Sequence, residues 1–212
     1  MAIVWPCGLS VQEYEAQGRD VWVPRGLCPS CRREMVFWSG YFRFVRDGGE
    51  RRVFIRRGRC CSPCRSTHAL LPSFLLRRRL DPVRVIGPGL AQGVAGLGMA
   101  KVAAGLRVPH STARGWRRRH RARAPALLAG FAAMQVLLDG EVTTWPEEKE
   151  QAALAALGAA WALRKAAVGL WDFASVVSGG AWLGTNTTPL WATLGDRRFM
   201  APMPANPTPE AP

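Results

Sequence analysis

Two short cysteine pairs constrain this chain more than any other feature. Cys28-Pro29-Ser30-Cys31 and Cys61-Ser62-Pro63-Cys64 are separated by 29 residues. Each C-x-x-C turn can aim two thiolates at one point, and a chain that joins two such points encloses a tetrahedral metal. The separation is longer than in a common finger and suits a ribbon with a whole hairpin inserted. Residues 35–45 and 51–57 supply that hairpin. Both are rich in aromatic or alternating β-formers, and Asp47-Gly48-Gly49 lies between them. The expected ligands are Cys28, Cys31, Cys61 and Cys64, holding a structural Zn2+. Cys60 leaves the second pair open, because Cys60 and Cys64 could serve through a wider loop. Arg32, Arg33, Arg59 and Arg65 would offset the charge of a metal–thiolate unit. The competing reading is that the cysteines are buried or redox thiols. Cys7 stands alone and reads as a structural thiol, and His68, beside an Ala-Leu-Leu run, as packed rather than ligating. A four-sulfur site is closed, so it supports folding and leaves no open position for catalysis.

Charge is the second constraint. The net charge is +14, and only Lys101, Lys149 and Lys165 are lysines. Arginine presents a planar fork of donors that fits phosphate oxygens and guanine edges. Residues 19–124 hold 24 Lys/Arg against 5 Asp/Glu, whereas residues 125–212 hold 5 against 8. A concentrated basic block points to nucleic acid before an anionic membrane. Residues 1–9 lack the basic start and apolar stretch of a secretory signal. The apolar run 152–171 is broken by Arg164 and Lys165, so no membrane span is expected. The expected location is cytoplasmic, at the nucleoid, where thiols stay reduced.

Downstream of the cysteines the pattern turns helical. Residues 74–80 form a bridge with an exposed Arg77-Arg78-Arg79 run. Pro82 suits a helix start with Asp81 as its cap. Helical pieces follow at 83–93, 100–106 and 110–123. Pro125 closes that block, and further helices are expected at 126–138 and from 146 to about 177, the latter weakened by Gly158 and Gly169. Val102, Ala103 and Leu106 share one face, Val108 closes a turn, and Ala113 and Trp116 form the inward face of the next helix. The opposite face then presents His110, Ser111, Arg114, Arg117, Arg118 and Arg121. Of these, His110, Ser111 and Arg114 are placed to meet base edges, Arg114 as the bidentate guanine reader. Thr112, Arg117, Arg118, Arg119 and Arg121 would hold phosphates. The bland alternative is a solvated basic helix in a bundle. Arg107 occupies the turn position where glycine is usual, and the strain of a left-handed arginine argues for a reshaped turn. No aromatic stacking sheet is legible, which disfavours RNA.

The segments CPSC, RRGRCCSPCRSTHALLPSFLLRRRLDP and VPHSTARGWRRR together resemble an uncharacterised bacterial family. Its members join a transposase-type zinc ribbon to a helix-turn-helix and are often found near insertion elements. The likeness covers about 27–125 and extends to RRFM at 197–200. It implies zinc at Cys28, Cys31, Cys61 and Cys64 and double-stranded DNA on the arginine helix, without establishing an activity.

The expected fold class is α+β, mainly α. Residues 1–25 form a lead, 26–71 the ribbon, 72–124 a trihelical helix-turn-helix domain, 125–178 a helical region and 179–212 a flexible tail. The expected function is sequence-specific duplex binding, as a transcription regulator or a transposase-related protein, and not catalysis. Glu147, Glu148 and Glu150 read as an acidic helix start, and no strand pattern presents a carboxylate triad for Mg2+. The alternatives are a divergent or truncated transposase with Mg-dependent cleavage, and a protein-interaction adaptor. In the adaptor reading, C-terminal helices bearing Trp161, Trp171 and Trp182 pair with a second copy.

Overall fold

The hairpin sets the sheet. In the computed structural model, which describes residues 2–61, 64–139, 143–164 and 168–183, β2 (Met35–Arg46) and β3 (Glu50–Cys60) pair antiparallel from Arg46↔Glu50 to Met35↔Cys60. Asp47-Gly48-Gly49 makes the turn, with Gly48 at φ +71°. A register shift between Phe37 and Ser39 is the one irregularity in this pairing. Both strands agree with the sequence pattern and run slightly longer.

Two further strands complete a mixed sheet in the order β1-β4-β3-β2. Strand β4 (Thr67–Pro72) pairs antiparallel with β3, and β1 (Ala2–Trp5) pairs parallel with β4. Helix α1 (Val11–Gln17) begins at a capping box. The Ser10 hydroxyl accepts from Glu13 N–H at 3.2 Å, and the Glu13 carboxylate accepts from Ser10 N–H at 2.7 Å. The helix lies against β3, where Tyr14 Oη donates to the Phe54 carbonyl at 3.1 Å. Of the expected lead 1–25, residues 2–25 are therefore part of the sheet layer.

The helical side begins with α2 (Val83–Val94). Asp81 does not cap it. Its buried carboxylate takes both donors of Arg46, at 2.7 and 2.9 Å, and the cap position falls on Pro82. Asp47 in the hairpin turn pairs with Arg84 of α2. These two ion pairs fasten the hairpin end to the helices, and one continuous apolar core runs through both. Helix α2 carries Gly87 and Gly89 because neighbours come too close for a Cβ. The Trp171 ring would lie 2.0 Å from one at Gly87, and Leu106 2.7 Å from one at Gly89. In the Arg77-Arg78-Arg79 run only Arg78 is exposed.

Helix α3 (Met99–Leu106) ends in a Schellman turn. Val108 N–H donates to Ala103 O at 3.0 Å, and Arg107 N–H to Ala104 O at 3.2 Å. Arg107 sits at φ +55°, ψ +41°. The turn is thus not reshaped, and arginine takes the left-handed conformation itself. Buried Val108 and Ala103 close the turn from the core side. A non-glycine residue there costs about 1 kcal/mol. Arg107→Gly is therefore expected to raise unfolding stability by about that amount, read as a higher midpoint in urea.

Helix α4 (His110–Asp139) continues through Pro125 instead of stopping. Proline inside a helix costs about 3 kcal/mol. Burial of Ala124, Leu127, Phe131 and Met134 on both sides of it offsets that cost. The expected helix 146–177 divides into α5 (Lys149–Arg164) and α6 (Leu170–Ser178), with Gly169 at the α6 cap. Residues 179–183 do not belong to a loose tail. Trp182 and Leu183 are buried, and Trp182 stacks on Trp171 at 5.4 Å. The rest of the expected tail, with RRFM, lies outside the described residues, within which no helix is long and apolar enough to cross a membrane.

Candidate metal centre and nucleic-acid interface

The two cysteine loops are built alike. In the first, Cys28 N–H donates to Arg33 O and Arg32 N–H to Cys28 O, both at 2.8 Å. In the second, Cys60 N–H donates to Ser66 O at 2.9 Å. The residue after the last cysteine of each loop is left-handed, Arg32 at φ +61° and Arg65 at φ +51°. The second loop is one residue longer, and Cys60 is the counterpart of Cys28.

Cys28, Cys31, Cys60 and Cys64 come together with all four sulfurs within 4.8 Å of one another. The separations are 3.3 Å for Cys31–Cys60, 3.4 Å for Cys28–Cys64 and 3.7 Å for Cys31–Cys64. A disulfide needs about 2.05 Å. Four sulfurs about 2.3 Å from a central ion in a tetrahedron would lie about 3.8 Å apart. The cluster is thus close enough to hold a metal ion. The assignment of Cys61 is corrected: Cys61 is exposed, and Cys60 takes its place. Strand alternation is the cause, since Cys60 ends β3 with its thiol inward and the next residue points away.

Surrounding groups favour the thiolate at Cys64. The Cys64 thiol is pulled down to about 6, first by the Ser66 backbone N–H, then by the Ser66 side chain and the Cys28 thiol. His68 lies behind the cluster on β4, 1 % exposed, its Nε2 3.8 Å from Cys28 Sγ. Burial holds its imidazole below the ordinary histidine range. A neutral ring can offer Nε2–H to the sulfur.

The second candidate surface is the first half of α4. Ala113 and Trp116 are 0 % and 1 % exposed, so the inward face is as expected. His110, Ser111, Arg114 and Arg118 are exposed, and Thr112 and Arg119 are half-buried. Arg119 lies back over Gly115, where a Cβ would come 2.8 Å from its guanidinium. Arg117 and Arg121 are engaged elsewhere. Both reach Glu150 of α5, with Nε–O distances of 3.4 and 2.9 Å. Glu150 is 2 % exposed, so it is a buried counter-charge and not merely part of an acidic helix start. Nothing local marks that role, because Glu150 lies 29 residues from Arg121 along the chain.

The chain is a mixed α/β protein with a four-cysteine cluster at one end of its sheet. Residues 28–94 match a family model described as a domain of unknown function, DUF6431. That stretch begins at the first cysteine of the cluster and ends with α2, so it includes the whole cluster and stops short of α3 and α4. No curated protein and no solved structure matches the chain.

Proposed function

We propose that this protein binds double-stranded DNA through α3 and α4, which form a helix-turn-helix, and that a structural zinc in the cysteine cluster holds the sheet that supports them. The observation that carries the reading is the two-sidedness of α4. Trp116 fixes the helix from inside while His110, Ser111, Arg114 and Arg118 face solvent at its first turns. Those turns are where a recognition helix meets base edges. Arg114 is the reader of guanine, and Arg118 holds phosphate. Arg119 adds a nearby cation, and its charge, after burial, helps hold the Arg79 guanidinium below its usual range. A phosphate placed near both would relieve that repulsion.

Zinc is the metal favoured by four soft sulfurs without an open position. Bound there, it would cross-link the two loops and supply folding free energy. The reading leaves the closed centre without a substrate position.

A gel shift with random and genomic duplexes at low salt tests the proposal. Retarded complexes are expected, and the absence of binding to any duplex would end it. Glu150→Gln separates the two roles of the α4 arginines. Breaking a buried pair costs about 3–5 kcal/mol, which the exposure of Arg121 reduces to about 1–3 kcal/mol. The variant is expected to melt earlier yet bind duplex more tightly at low salt, because Arg117 and Arg121 lose their competing carboxylate. Earlier melting with weaker binding would show that Glu150 aims those arginines instead.

A further inference from the structure

The outer strand of the sheet carries a second surface that α4 does not use. Strand β2 is an edge strand, and on it Phe37, Phe42 and Phe44 are 36–52 % exposed. The alternation, carried past the register shift at Trp38, puts all three on one face, with Phe42 directly opposite Phe54 of β3. Trp38 lies under Arg59, which belongs to the other face. Guanidinium groups lie over the rings of the row. Arg52 is 4.2 Å from the Phe42 centroid and Arg56 4.9 Å from Phe37. Arg19 is 5.7 Å from both Phe42 and Phe54. An open groove of about 450 Å³ adjoins the row, walled by Trp22, Arg25, Phe37 and Arg56, with Asp20 beside them.

We propose that this face binds single-stranded DNA. Isolated exposed aromatics need no explanation, but a contiguous row on one strand does. Rings and flat guanidinium planes are the two surfaces on which unpaired bases stack, and guanidinium edges take phosphates. A ring beneath an arginine holds its plane steady before any ligand arrives, which lowers the cost of binding. A duplex offers no free base faces to such a row. A membrane is disfavoured because the charges lie over the rings that would have to insert. A basic face also repels most cationic peptides and attracts a polyanion. DNA is preferred to RNA because the inference rests on the reading of α4 as a DNA-binding helix.

The test is an anisotropy titration of the full chain against a fluorescein-labelled oligo(dT) at low salt. Saturable binding is expected. Phe42→Ala and Phe44→Ala should each weaken it at least about fivefold and leave duplex binding by α4 unchanged. Phe44→Tyr should keep most of the affinity, and Phe44→Leu should lose it, since stacking needs a ring and simple apolar contact does not. The double variant Arg114→Ala/Arg118→Ala should lose duplex binding and keep oligo(dT). The proposal is overturned by no oligo(dT) binding, by dependence on Arg114 and Arg118 in place of Phe44, or by tighter binding to oligo(rU). Equal retention by Phe44→Leu and Phe44→Tyr also overturns it. So does binding to phosphatidylserine vesicles that needs Phe44 when oligo(dT) binding does not.

Discussion

Cys60→Ser is expected to release the proposed zinc and unfold the cysteine end of the sheet, while Cys61→Ser changes neither. The two residues are neighbours, yet one thiol points into the cluster and the other into solvent. Structural zinc contributes apparent free energies of about 10–16 kcal/mol in small zinc domains. A whole domain is stable by only about 5–15 kcal/mol, so losing one of four ligands removes a large share of what holds the two loops together. The same loss should follow treatment with a chelator. Metal content by mass spectrometry and a thermal melt read both variants. Retention of zinc by Cys60→Ser with its loss from Cys61→Ser would restore the pairing first read from the C-x-x-C spacing.

Trp116→Ala is the second large effect. The indole is 1 % exposed, and its ring reaches to 3.5 Å from where a Cβ at Gly89 would stand. Removing a buried tryptophan typically costs about 3–5 kcal/mol. Duplex affinity should fall with it although every arginine of α4 remains, because the row loses its fixed orientation. A denaturant titration together with the duplex titration measures both. Full duplex binding by a destabilised Trp116→Ala protein would mean that charge alone attracts DNA and that α4 recognises nothing. Trp116→Phe, a smaller change, should keep most of both properties.

Much of this was legible where the signal is local. The Asp47-Gly48-Gly49 turn with its flanking β-formers located β2 and β3 to within a few residues. The spacing of Ala113 and Trp116 oriented α4. Where partners are distant the sequence was silent. Pairing of β1 with β4 joins residues 2–5 to 69–72, and no pattern in either segment names the other. Helix α1 did leave a trace, the Ser10–Glu13 capping box, which predicts a helix start once noticed. Pro125 shows the opposite failure. A strong local stop was overridden because the residues around it bury apolar side chains against the rest of the core. The choice of Cys60 over Cys61 depended on where β3 ends, a boundary that periodicity does not fix. The aromatic row went unseen because its rings become a surface only where that face of the hairpin is left uncovered.

The salt dependence of duplex binding by the intact chain tests whether α4 reads DNA. Affinity should fall steeply and linearly on a log–log plot against salt. Arg118→Ala should weaken all sequences alike and lower the slope by about one, while Arg114→Ala should mainly erase preference among sequences. Binding that ignores salt, or that responds identically to the two substitutions, would contradict it.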